Sequence, residues 1–188
     1  MAAFEHVTSL LAFVYALALT HLLARIVGLY DVRKRVTFSW LHALMVINAV
    51  LTAFDDWLAL WPLRLVNSWD YLSIADNFVL AILLFFTCAI AAPERSEGQI
   101  DLEAYYWHAR RPFYWLILTG DIVGEFGNLD FLKSSDPALF WQWTLGGSFV
   151  FLPLSLALAV PARWAQWTAA LLYTAFCVVG GLVMENVH

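Results

Sequence analysis

Asp121, Glu125 and Asn128 stand at i, i+4 and i+7, so they share one face of a helix. The run that holds them, residues 113–131, is otherwise apolar enough to lie in a bilayer. Asp121 falls eight residues into it, about 12 Å along the helix and close to mid-membrane. An ionised carboxylate at that depth costs roughly 2.5–3.5 kcal/mol even on the lenient insertion scale. Such a residue turns to the bundle interior, to water or to a partner. Gly120, Gly124 and Gly127 keep this helix thin beside the acids, which lets another helix or water approach.

Three further polar stripes match it. Asn48, Thr52 and Asp55 recur at helical spacing, with Asp56 alongside; Ser73, Asp76 and Asn77 begin another run, and Glu5, His6 and Ser9 begin a third. Together they are expected to line an acidic cavity that opens outward and narrows toward Asp121. Carboxylates sharing such a site can hold and pass protons or attract cations. His21 and His42 sit at similar depth on the inner side. They read as packing residues, as an inward continuation of a proton path, or as a b-type haem pair.

Enzymatic chemistry finds less support. The acids and His6 include ligand types suited to divalent metals. Yet there is no H-E-x-x-H, no histidine pair at i+4 and no Gly-x-Ser-x-Gly elbow. Cys88 and Cys177 lie in apolar runs without metal or redox spacing and read as small core residues. No cofactor is required by the sequence.

The elements that must position these groups are membrane helices. The 188 residues are 62% hydrophobic and 13% charged, with a mean hydropathy of +0.72, far from a soluble domain. A net charge of −5 with ten basic residues excludes a nucleic-acid binder. A span needs roughly 20 apolar residues. Residues 3–28, 38–60, 71–91, 113–131, 138–160 and 164–184 supply six, forming one all-α polytopic domain over 1–188. The first basic residue, Arg25, follows the first apolar run, so that run reads as a retained helix rather than a signal peptide.

Orientation follows from the basic residues. Arg25, Arg33, Lys34, Arg35, Arg95, Arg110, Arg111 and Arg163 fall on one side, and only Arg64 and Lys133 on the other. The positive-inside rule then places both termini outside a cell inner membrane. Tryptophans mark both borders: Trp40, Trp107, Trp115, Trp164 and Trp167 inside, and Trp57, Trp61, Trp69, Trp141 and Trp143 outside. The rim acids Asp70, Asp130, Asp136 and Glu185 are what positive-inside selection leaves behind. The segment from Pro93 to Arg111 is expected to carry a short amphipathic helix lying on the inner face.

The function expected from this pattern is proton or cation conduction, or cation-coupled transport, through Asp121, Glu125 and Asn128. Asp55, Asp56, Asp76, Asn77, Glu5 and His6 would form the entrance. The alternatives are a non-catalytic subunit of a larger membrane complex, contacting lipid, quinone or haem, and a membrane enzyme with an outward-facing metal site. A homo-oligomer is compatible with each of these.

Overall fold

The computed structural model describes residues 2–61, 71–135 and 137–185, with side chains for 5–61, 71–125 and 148–180. The side chains of Arg64, Trp69, Asp70, Asn128, Asp130, Lys133, Asp136, Trp141, Trp143 and Glu185 lie outside that range. The described chain forms six α-helices: α1 (Ala2–Asp31), α2 (Trp40–Ala59), α3 (Tyr71–Ala91), α4 (Leu102–Ser135), α5 (Pro137–Ala159) and α6 (Arg163–Glu185). A 3₁₀ turn at Arg33–Arg35 follows α1. Three helical stretches are long and apolar enough to cross a membrane: Glu5–Asp31 within α1, and the whole of α2 and α3.

Helices α3, α4, α5, α6 and α2 pack in a closed succession, each against the next, and α1 lies outside it on α3. Small residues let them approach. Ala18, Ala49, Ala81, Ala91 and Ala157 have no exposed surface, the usual basis of close contact between helices in lipid. Gly124 is one such point, since an added Cβ would meet Leu80 of α3 at 3.8 Å. At Gly120 the same direction is open space.

The segment before span four differs from the expectation. Residues 102–111 do not form a separate helix on the inner face but are the first three turns of α4, which runs 34 residues with Pro112 inside it. At about 51 Å this helix is longer than the roughly 30 Å of a hydrocarbon core. Its first turns are held by tertiary contacts, since Tyr106, Ala109 and Arg110 are buried. Asp101 starts the helix, its Oδ1 accepting the Glu103 and Ala104 amides at 2.9 and 3.1 Å, as an N-cap does. Pro112 removes one backbone hydrogen bond, which this packing offsets. A two-residue parallel ladder, β1 (Val36–Thr37) with β2 (Ile100–Asp101), closes the same end. It packs with Leu29, Val32 and Leu102.

Prolines dictate how the helix ends on that side are sealed. Pro93 cannot donate to the Ala89 carbonyl four residues back. Arg25 of α1 donates there instead, with a second bond to the Ala92 carbonyl at 2.8 Å and an ion pair to Glu94 at 2.8 Å. The Tyr105 hydroxyl donates to the Ile90 carbonyl at 2.8 Å, and the His42 ring lies beside the Ala91 carbonyl. Four successive carbonyls at the end of α3 are thus met by three other helices. Pro161 leaves the Ala157 carbonyl of α5 open in the same way. Arg110 of α4 donates to it at 2.7 Å and Gln166 of α6 at 3.0 Å. Gln166 also reaches the Val160 carbonyl at 2.6 Å and accepts from the Tyr106 hydroxyl at 2.8 Å. Glu103 ties this collar to α2 and α6 through Ser39 at 2.6 Å and Arg163 at 3.6 Å.

Candidate functional site

Asp55 and Asp56 on the last turns of α2 and Asp121 on α4 come together inside the bundle. Asp121 stands within electrostatic reach of Asp56, Glu125 and Asp55, in that order of strength. Asp56 is the centre of the group, because its charge also reaches Tyr15 of α1, Cys88 of α3 and Tyr173 of α6. The charge of this one carboxylate therefore reaches groups on four other helices. The Asp121 Oδ2 atom is shielded from solvent and has no hydrogen-bond partner. Among the described residues no basic side chain pairs with these acids. The ion pairs there, Arg25 with Glu94 and Arg163 with Glu103, both lie in the collar.

A ladder of hydroxyl, thiol and amide groups leads away from the acids along the α2–α6 seam. The Cys177 thiol faces both the Asp55 carboxylate and the Tyr173 hydroxyl. The Tyr173 and Thr52 hydroxyls lie 2.8 Å apart, and Thr52 also donates to the Asn48 carbonyl at 2.8 Å. Asn48 is fully buried. Its Oδ1 accepts from Thr174 at 2.6 Å and its Nδ2 donates to the Ala170 carbonyl at 3.2 Å. Asn48 lies about 12 Å along α2 from Trp40 and Asp55 about 22 Å, so the ladder spans some 10 Å of depth. It forms because α2 repeats Asn48, Thr52 and Asp55 at helical spacing, while α6 presents Tyr173, Thr174 and Cys177 across from them.

Below Asn48 the polar chain stops. Leu41, Met45, Phe113 and Ile117 are buried members of one apolar core at that level. At the depth of this same layer lie His42 Nε2 and Tyr114 Oη, each buried without a hydrogen-bond partner among the described residues. At the collar itself, burial pushes the Tyr105 phenol above its ordinary pKa, with Arg25 opposing and Glu94 assisting. Its hydroxyl thereby stays a donor to Ile90.

The other sequence-derived positions spread out. Glu125 is partly buried beside Asp121. Asp76 is partly buried at the start of α3, with no charge among the described residues acting on it. The Asn77 amide turns back to the Ser73 carbonyl at 2.9 Å. Glu5 and His6 are exposed on α1. His21 is partly buried with its ring 5.7 Å from that of Phe85, whereas His42 sits edge-on to Tyr105 at 5.8 Å. The Asn128 side chain is outside the described residues. Among the described residues no three His, Cys, Asp or Glu side chains are grouped to hold a metal ion.

Tyr15, Tyr173 and Cys177 belong to this site, and sequence reasoning left them out. Buried tyrosine and cysteine look like apolar filling. The available signal was the i, i+4 pair Tyr173 and Cys177, one polar-capable face on an otherwise greasy helix. The chain matches no protein-family model, no curated protein and no solved structure.

Proposed function

We propose that this chain is a six-span membrane protein that moves protons, or a cation coupled to them, with Asp121 as the central exchanging group. The single observation that carries this reading is the Asp121 Oδ2 atom, buried without a partner among the charges of Asp56, Glu125 and Asp55. Nothing structural is gained from a carboxylate held this way, because an unpaired buried polar atom only costs stability. A proton, or a cation arriving from outside, is the partner such an oxygen lacks.

The reading places both termini outside and the collar inside, in line with the basic residues gathered at the collar end. It assigns loading to Asp55, Asp56, Asp121 and Glu125, and relay to Cys177, Tyr173, Thr52 and Asn48. The apolar layer of Leu41, Met45, Phe113 and Ile117 favours a carrier that must rearrange over a channel that stands open. His42 and Tyr114, at the depth of that layer, are the groups that would receive the proton once it opens.

The test is flux into proteoliposomes, read with a pH-sensitive dye while the membrane potential is clamped. Wild-type protein should acidify or alkalinise the lumen down an imposed gradient, and Asp121→Asn and Glu125→Gln should reduce that flux toward the empty-vesicle background. Flux in Asp121→Asn equal to wild type would overturn the proposal.

A further inference from the structure

Two open grooves run side by side on the outside of the bundle, near the collar. The first lies between α3 and α4, bordered by Phe86, Ile90, Pro112, Trp115 and Thr119, with a volume of about 420 Å³. The second lies between α4 and α5, bordered by Arg111, Trp115, Ser155 and Leu158, also of about 420 Å³. Each is within the size range of a site for a small ligand. The Trp115 ring, 56% exposed, is the ridge that divides them.

The upper border of the second groove is charged. Arg110 and Arg111 are neighbours in sequence but point about 100° apart on the helix. Arg110 is buried and spent on the Ala157 carbonyl. Arg111 is exposed and makes no hydrogen bond or ion pair with any described residue. The Ser155 hydroxyl is likewise uncommitted, unlike Thr119 and Thr168, which bond to the carbonyls four residues back at 2.8 and 3.0 Å. An apolar trough with a free guanidinium at its border and a free hydroxyl below it matches a phospholipid: phosphate on Arg111, a glycerol-ester oxygen on Ser155, an acyl chain beneath.

From this we infer that the face around Trp115 binds one anionic diacyl phospholipid, its two chains straddling Trp115 and its phosphate held by Arg111. The paired grooves account for two chains. The free guanidinium accounts for the charge, since Arg favours phosphate through forked hydrogen bonds, and basic pockets between helices on the cytoplasmic side attract acidic head groups. The site is separate from the acid cluster, since Asp121 lies ten residues further along α4 than Arg111, about 15 Å deeper.

Native mass spectrometry of the purified full-length protein, titrated with phosphatidylglycerol and with phosphatidylcholine of matched chains, tests this. Wild-type protein should retain phosphatidylglycerol preferentially. Arg111→Gln should lower its affinity about fivefold while leaving phosphatidylcholine retention unchanged. Trp115→Ala should weaken both lipids. Arg163→Gln removes another exposed positive charge from the collar and should leave the preference intact. Equal binding of the two lipids by wild type, an unchanged preference in Arg111→Gln, or an equal loss in Arg163→Gln would each overturn the site.

Discussion

The two ends of the bundle treat buried polar groups in opposite ways. At the collar, prolines free the Ala89 and Ala157 carbonyls, and Arg25, Arg110 and Gln166 come from other helices to meet them. At the acid cluster, Asp55, Asp56 and Asp121 face one another, and no basic side chain among the described residues answers them. Unfilled polar atoms occur at both levels, but those nearer the collar are an imidazole nitrogen and a hydroxyl. A carboxylate oxygen is far more costly to bury. The difference teaches that one end is arranged to hold the helices together, and that the other carries an energetic cost which stability does not explain.

Perturbing each end separately sharpens this contrast. Gln166→Leu strands the Val160 carbonyl and the Tyr106 hydroxyl and weakens the cover on Ala157. It should lower unfolding free energy by about 3 kcal/mol, read by thermal unfolding in detergent, with flux per folded protein retained. Arg110→Leu removes the charged donor from Ala157 but leaves Gln166 there, so a smaller loss of about 2 kcal/mol is expected by the same measurement. Asp121→Asn should move stability the other way, raising it by about 1 kcal/mol as an unpaired buried charge is removed. A large destabilisation by Asp121→Asn would erase the distinction between the two ends. Arg163→Gln should change stability by less than about 0.5 kcal/mol, since its pair with Glu103 is 3.6 Å long and Arg163 is 71% exposed.

Much of the acid cluster could be read from the sequence because burying charge in lipid has a large, position-dependent cost. Asp121 and Glu125 stood out by depth, and Asp55 and Asp56 by helical phase with Thr52 and Asn48. The convergence of these faces rests on how α2, α4 and α6 pack, and helical phase alone does not fix that. Tyr173 and Cys177 were hidden because a buried hydroxyl or thiol costs little and leaves no trace in hydropathy. Glu5 and His6 share the outer depth of the acids, but depth says nothing about which way α1 is turned, and the structure leaves both exposed.

The helices themselves were legible, with one instructive exception. The polar and aromatic residues from Pro93 to Arg111 read as a short surface helix separate from the span, whereas α4 runs straight through. Packing of Tyr106 and Arg110 against α6 and α5 overrides the local signal. The collar was partly visible as positive charge, and Arg25 reads most simply as a side chain reaching toward water. Its actual task was written in Pro93, four residues beyond Ala89. Pro161 says the same of Ala157 and Arg110. A proline four residues after a buried helical carbonyl predicts that some donor must arrive from elsewhere.

The central claim is that the acid cluster exists for transport and not for folding. It is tested most directly by measuring proton flux and thermal unfolding together on Asp121→Asn, in proteoliposomes and micelles from one preparation. The account predicts flux at background with an unfolding temperature equal to or above that of wild type. Wild-type flux in that variant, or a lost fold, would contradict it.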